Sequence, residues 1–85
     1  MAVFAVNSEL PDSMVTEDKV YEYTFSDTPL AERIMAELRN QGKQSTYELD
    51  ITEGDLYYNT SRFIIATRFY KNALDAKPVK RDVQK

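Results

Sequence analysis

The chain has no cysteine, no histidine and no tryptophan, and only two glycines and three prolines in 85 residues. Without cysteine there is no disulfide scaffold, thiolate zinc site, redox pair or cysteine nucleophile. Without histidine the commonest general acid–base residue and the commonest metal ligand are missing, and with them every His-dependent triad. Gly42 and Gly54 are too few to build a phosphate-cradling loop. No run of about 18 apolar residues occurs, and the short "AVFAV" run near the start has no basic region before it. The sequence therefore predicts a soluble, cytoplasmic chain with no membrane span, no catalytic residue, no metal site and no cofactor.

What is present is a divided charge. The net charge of −3 combines two opposed blocks. Residues 1–55 hold twelve acids against Lys19, Arg33, Arg39 and Lys43, a balance of −8, and residues 56–85 hold two acids against seven bases, a balance of +5. Asymmetry of this kind suits an acidic body for a basic partner, a basic tail for an acidic partner, or internal pairing.

Read for periodicity, "DTPLAERIMAELRNQGK" is the clearest element. Asp27 or Thr28 caps a helix, Pro29 suits its first turn, and Gly42 suits a left-handed stop. Leu30, Ala31, Ile34, Met35 and Leu38 form one apolar face. Before it, "KVYEYTFS" alternates Tyr21, Tyr23 and Phe25, an apolar row for the helix to cover, with Val20, Glu22 and Thr24 on the other face. After it, "STYELDIT" alternates Tyr47, Leu49 and Ile51 with Glu48 and Asp50, and both runs read as strands. Gly54-Asp55 then reads as a hairpin turn.

The run "TSRFIIATRFYKNALDAK" fits two periods. As a helix it gathers Arg68, Lys71, Asn72 and Asp75 into a polar arc interrupted by Ile64. As a strand it sets Phe63, Ile65, Thr67 and Phe69 on one side. The β-branched and aromatic crowding of residues 63–70 decides for a strand, with a short helical turn after it. The expected architecture is a small two-layer α+β domain over residues 1–77. A mixed or antiparallel sheet of three to five strands, with "AVFAV" as an edge strand, carries one main helix (about 28–41) on one face. Residues 78–85 form a flexible basic tail.

On that scaffold Glu22, Glu48 and Asp50 line an acidic sheet face, and Tyr57, Tyr58 and Tyr70 are the candidate binding aromatics. The leading functional expectation is a non-enzymatic protein-binding module, an accessory subunit or inhibitor. It docks this acidic face on the basic surface of a larger protein, with nucleic-acid-handling proteins among the expected targets. A homodimer is also compatible with so small a core. The alternative is nucleic-acid binding by Arg62, Arg68, Lys71, Lys80 and Arg81 with tyrosine stacking, against which stands the acidic body. Two further patterns carry little. "DITEGD" lacks the ligand order of a calcium loop, and Asn59-Thr60-Ser61 matches a glycosylation acceptor by chance.

Overall fold

The structure is a computed structural model that describes residues 10–76, and every regular element among them is helical. A single 3-10 turn at Asp12–Met14 leads into α1 (Glu17–Tyr23), α2 (Thr28–Gln41), α3 (Thr46–Asn59) and α4 (Phe63–Ala76). The expected two-layer α+β domain is therefore overturned: no strand or sheet occurs among the described residues. The expected edge strand at "AVFAV" and the tail bearing Lys80 and Arg81 lie outside the described residues.

The helix read from caps and period is the one that forms as expected. The Asp27 carboxylate accepts the Leu30 N–H at 3.3 Å, Pro29 sits in the first turn, and Gly42 ends the helix at φ 65°. Ala31, Ile34, Met35 and Leu38 are buried, and Leu30 packs against them.

The first expected strand is α1, started by Thr16, whose hydroxyl accepts the Lys19 N–H at 3.1 Å. Glu17 and Asp18 then place negative charge in the first turn, where the helix dipole favours it. The 3.6-residue period turns the assignment of faces around. Val20 and Thr24, four apart, are buried, whereas Tyr21 and Phe25, cast as core, are exposed, Phe25 by 74%. Thr24 is admitted to the interior because its hydroxyl donates to the Val20 carbonyl at 2.7 Å.

The second expected strand and the expected hairpin both fall inside α3. Ser45 caps it, its hydroxyl accepting the Glu48 N–H at 3.2 Å, which is the S-x-x-E start pattern. Leu49, Thr52 and Leu56, at helical spacing, are buried toward α1 and α2. Gly54 makes no turn. It is a buried mid-helix position on which the ring of Tyr70 rests, and a methyl group there would lie 2.7 Å from a ring carbon.

The third expected strand, residues 63–70, is the first half of α4, and "KNALDA" continues it. The α3–α4 connection is a tight C-terminal motif. Ser61 takes the left-handed conformation at φ 67°, its N–H donates to the Tyr58 carbonyl at 3.1 Å, and the Arg62 N–H donates to the Tyr57 carbonyl at 2.8 Å. The two helices consequently run antiparallel. Their contact is made by the Gly54–Tyr70 approach, by buried Ala66 and Ala73, and by Tyr57 stacked on Phe69 at 5.6 Å and 9°.

That stack is closed at both ends by arginines. The Arg62 guanidinium lies 4.5 Å from the Tyr57 ring centroid and pairs with Glu32 of α2 at 2.5 Å. The Arg39 guanidinium lies 5.5 Å from the Phe69 centroid and bonds Asp50 and Glu53 of α3, each at 2.6 Å. The apolar core itself runs from Val15 and Val20 through α2 to Leu49 and Leu56, and no residue of α4 belongs to it.

Candidate functional site

Three of the four sides of α3 are occupied. Leu49 and Leu56 face the core, Asp50 and Glu53 meet Arg39 of α2, and Gly54 and Tyr57 meet α4. Tyr47, Ile51, Asp55 and Tyr58 recur at i, i+4, i+8 and i+11 and make a stripe along the remaining side, between α1 and α4. At a rise of 1.5 Å per residue this stripe is about 16 Å long.

At its centre Asp55 joins the two flanking helices. One carboxylate oxygen accepts the Tyr21 hydroxyl of α1 and the other accepts the Tyr70 hydroxyl of α4, both at 2.5 Å. Partial burial and the hydrogen bond to Asp55 push the Tyr21 phenol up to about 12 and raise that of Tyr70 as well, because ionising either ring would set a second negative charge against the carboxylate.

Toward the N-terminal end of α3 the stripe opens into a cleft of about 260 Å³ lined by Glu17, Tyr21, Tyr47, Glu48, Ile51 and Thr52. None of the lining residues is basic. One carboxylate oxygen of Glu17 is shielded from solvent with no hydrogen-bond partner. Burial, then the charges of Glu48 and Asp18, raise the Glu17 carboxyl above its ordinary value. Toward the other end Tyr58 meets Phe63 edge-to-face at 5.2 Å, and both rings are more than half exposed. Leu74, one helical turn beyond Tyr70 on α4, is 70% exposed.

The residues singled out from sequence are dispersed by this arrangement. Glu48 is in the cleft, Tyr70 is in the Asp55 junction, and Tyr58 is exposed at the far end. Tyr57 is taken up by the Arg62–Phe69 stack. The acidic sheet face does not exist, since residues two apart on a helix point to nearly opposite sides. Asp50 is buried at 7% exposure against Arg39, and Glu22 sits outside the cleft, paired with Lys19 at 3.0 Å. Of the basic set, Arg62 is held by Glu32 and Tyr57, whereas Arg68 and Lys71 are exposed on the outer side of α4. Glu17, Tyr21, Tyr47 and Asp55 were not singled out. Tyr21 and Tyr47 fell in runs that alternate with period two, Glu17 in a polar connection and Asp55 in the expected hairpin turn, so that the i, i+4 spacing of Glu17 with Tyr21 and the i, i+8 spacing of Tyr47 with Asp55 were the available signal.

Among the described residues no group of three or more histidine, cysteine, aspartate or glutamate side chains converges to hold a metal ion, and no helix is long and apolar enough to cross a membrane. Compared with protein-family models, with curated proteins and with solved structures, the chain matches none.

Proposed function

We propose that this protein is a non-enzymatic binding module, an accessory subunit or inhibitor that engages a larger protein through the acidic, tyrosine-lined side of α3. The observation that carries the reading is the cleft at Glu17 and Glu48, where two carboxylates share a partly enclosed space with two tyrosines and no base. Like charges held together in reduced solvent are costly when alone and are relieved by an incoming cation. Lysine and arginine side chains on a partner supply it, with the tyrosine faces adding cation–π attraction. Surfaces rich in such side chains are typical of proteins that handle nucleic acid, which makes them the first class of partner to test.

The experiment is charge reversal with a partner purified after capture. Glu17→Lys with Glu48→Lys is expected to weaken binding, mainly through the association rate, with the difference shrinking at high salt. Neutralising Lys80 and Arg81 is expected to leave binding unchanged. Asp50 is avoided because reversing it would bury two cations together with Arg39. Binding that survives the double reversal and is lost with the Lys80 and Arg81 changes overturns the reading. So does a salt-dependent gel shift of nucleic acid that requires Arg68 and Lys71.

A further inference from the structure

The chain is built as two helical hairpins, α1–α2 and α3–α4, whose internal contacts are the two most extensive between helices of the fold. The contact between the hairpins is sparser. Leu49 and Leu56 are the residues of α3 in an apolar core that α1, α2 and Val15 otherwise fill. Around that core, the side-chain hydrogen bonds from one hairpin to the other are Tyr21 to Asp55, Arg39 to Asp50 and Glu53, and Arg62 to Glu32. Each of these contacts has one partner on each hairpin, so the surface of α1–α2 that holds its own α3–α4 is equally complementary to the α3–α4 of a second copy.

The hairpins are joined by Gly42 to Ser45, a connection that contains no proline. Its closed form depends on two residues. Gly42 takes φ 65°, alone in this connection in the left-handed region, and its N–H donates to the Arg39 carbonyl at 3.2 Å. The side-chain oxygen of Gln44 is shielded from solvent with no hydrogen-bond partner, an acceptor that an opened connection returns to water. With Gly42 in the right-handed region instead, residues 28–59 continue as one helix of about 48 Å, because the lysine and glutamine that follow are good helix formers.

We propose that two copies of this chain exchange their α3–α4 hairpins about Gly42 and form a closed dimer, each α1–α2 pair holding the α3–α4 pair of the other copy. The exchanged form keeps the core and the four hydrogen bonds, now made between copies, and two-fold symmetry leaves no surface of this kind unmatched. The candidate site is then shared. Glu17 and Tyr21 come from α1 of one copy and Tyr47, Glu48, Ile51 and Thr52 from α3 of the other, so each cleft is completed by both chains and the dimer carries a pair of them. The inference stands apart from the binding-module reading and survives its failure.

The test uses the full chain at rising concentration, with sedimentation equilibrium for mass and a mixture of isotope-labelled and unlabelled copies for contacts. The parent chain is expected to form a dimer in the millimolar range that exchanges slowly, because leaving the closed form frees Leu49 and Leu56 from the core. Nuclear Overhauser contacts from Leu49 or Leu56 of one copy to Ile34 or Leu38 of the other are expected in the mixed dimer. Gly42→Ala isolates the connection, since a Cβ at this position meets nothing within 4 Å and the change acts through the backbone alone. Holding alanine left-handed costs about tenfold per connection, so a dimer that relieves two of them is expected to associate about a hundredfold more tightly than the parent. A Gly-Ser insertion after Lys43 lengthens the connection and is expected to return the chain to monomer.

A parent chain that stays monomeric throughout the millimolar range overturns the inference. So does a dimer whose contacts between copies omit the core leucines, which marks intact monomers docked side by side. Gly42→Ala that keeps its helical circular dichroism and does not strengthen the dimer overturns it as well. If that variant fails to fold, the insertion decides, and a dimer that persists through it is not held by exchange about this connection.

Discussion

Gly54 and Tyr70 form a close approach between α3 and α4: a Cβ on Gly54 would fall 2.7 Å and 2.8 Å from two carbons of the Tyr70 ring. The ring cannot simply swing aside, because its hydroxyl is bonded to Asp55. Gly54→Ala is therefore expected to destabilise the protein by about 1–3 kcal/mol, as overpacking does. With Tyr70→Ala already present, the same change is expected to become neutral or to stabilise by up to about 1 kcal/mol, because alanine is the better helix former. Denaturant unfolding of the four proteins of this double-mutant cycle decides it. Simple additivity would show that the ring does not rest on Gly54.

The Asp55 junction predicts an alkaline titration. Tyr21, pushed up to about 12, and Tyr70, also raised, are expected to ionise above the range of a free phenol near pH 10 in absorbance at 295 nm. Because their folded-state values lie above the unfolded one, the stability they confer is complete below about pH 10 and is lost as pH rises toward 12. Asp55→Asn is expected to bring both phenols down toward the ordinary value. An unchanged titration curve in that variant would remove Asp55 as the cause.

Glu17 carries a consequence of the same sign at acid pH. Its carboxyl is raised in the folded state, so the fold holds that proton more tightly than the unfolded chain does, and its ionisation works against folding as pH rises above 4.5. Glu17→Gln is expected to raise the melting temperature at pH 7, with the gain fading as pH falls below the ordinary carboxyl value. Melts from pH 3 to pH 8 measure it, and a variant less stable than the parent at pH 7 contradicts the assignment.

Ser61 holds a left-handed conformation that costs an L-residue about 1–2 kcal/mol and glycine almost nothing. Ser61→Gly is expected to stabilise the α3–α4 connection by up to about 1 kcal/mol after the greater freedom of glycine in the unfolded chain is set against it. For a domain of this size that raises the melting temperature by about 4–8 °C.

What could be read from the sequence followed the strength of local signals. α2 was legible because its cap, its Pro29, its apolar face and its Gly42 agree. α3 was not, because Tyr47, Leu49 and Ile51 alternate over a short window while the buried set, Leu49, Thr52 and Leu56, needs a longer one. In residues 63–70, β-branched and aromatic composition outweighed period, yet those side chains are largely at the surface of α4, where strand preference decides little. The polar arc of Arg68, Lys71, Asn72 and Asp75 was the better guide. The candidate site was legible only in Glu48, Tyr58 and Tyr70. Tyr21 and Asp55 are 34 residues apart, and only the packing of α1 on α3 brings them together.

α4 gives only Ala66 and Ala73 to the buried residues and none to the central core, while its larger apolar side chains face outward. Its hold on the rest of the molecule is consequently through α3, along the most extensive helix–helix contact of the fold, where Gly54 admits the Tyr70 ring and Tyr57 stacks on Phe69. Amide protons of α3 and α4 are therefore expected to be released to solvent together, with the pair opening as one unit.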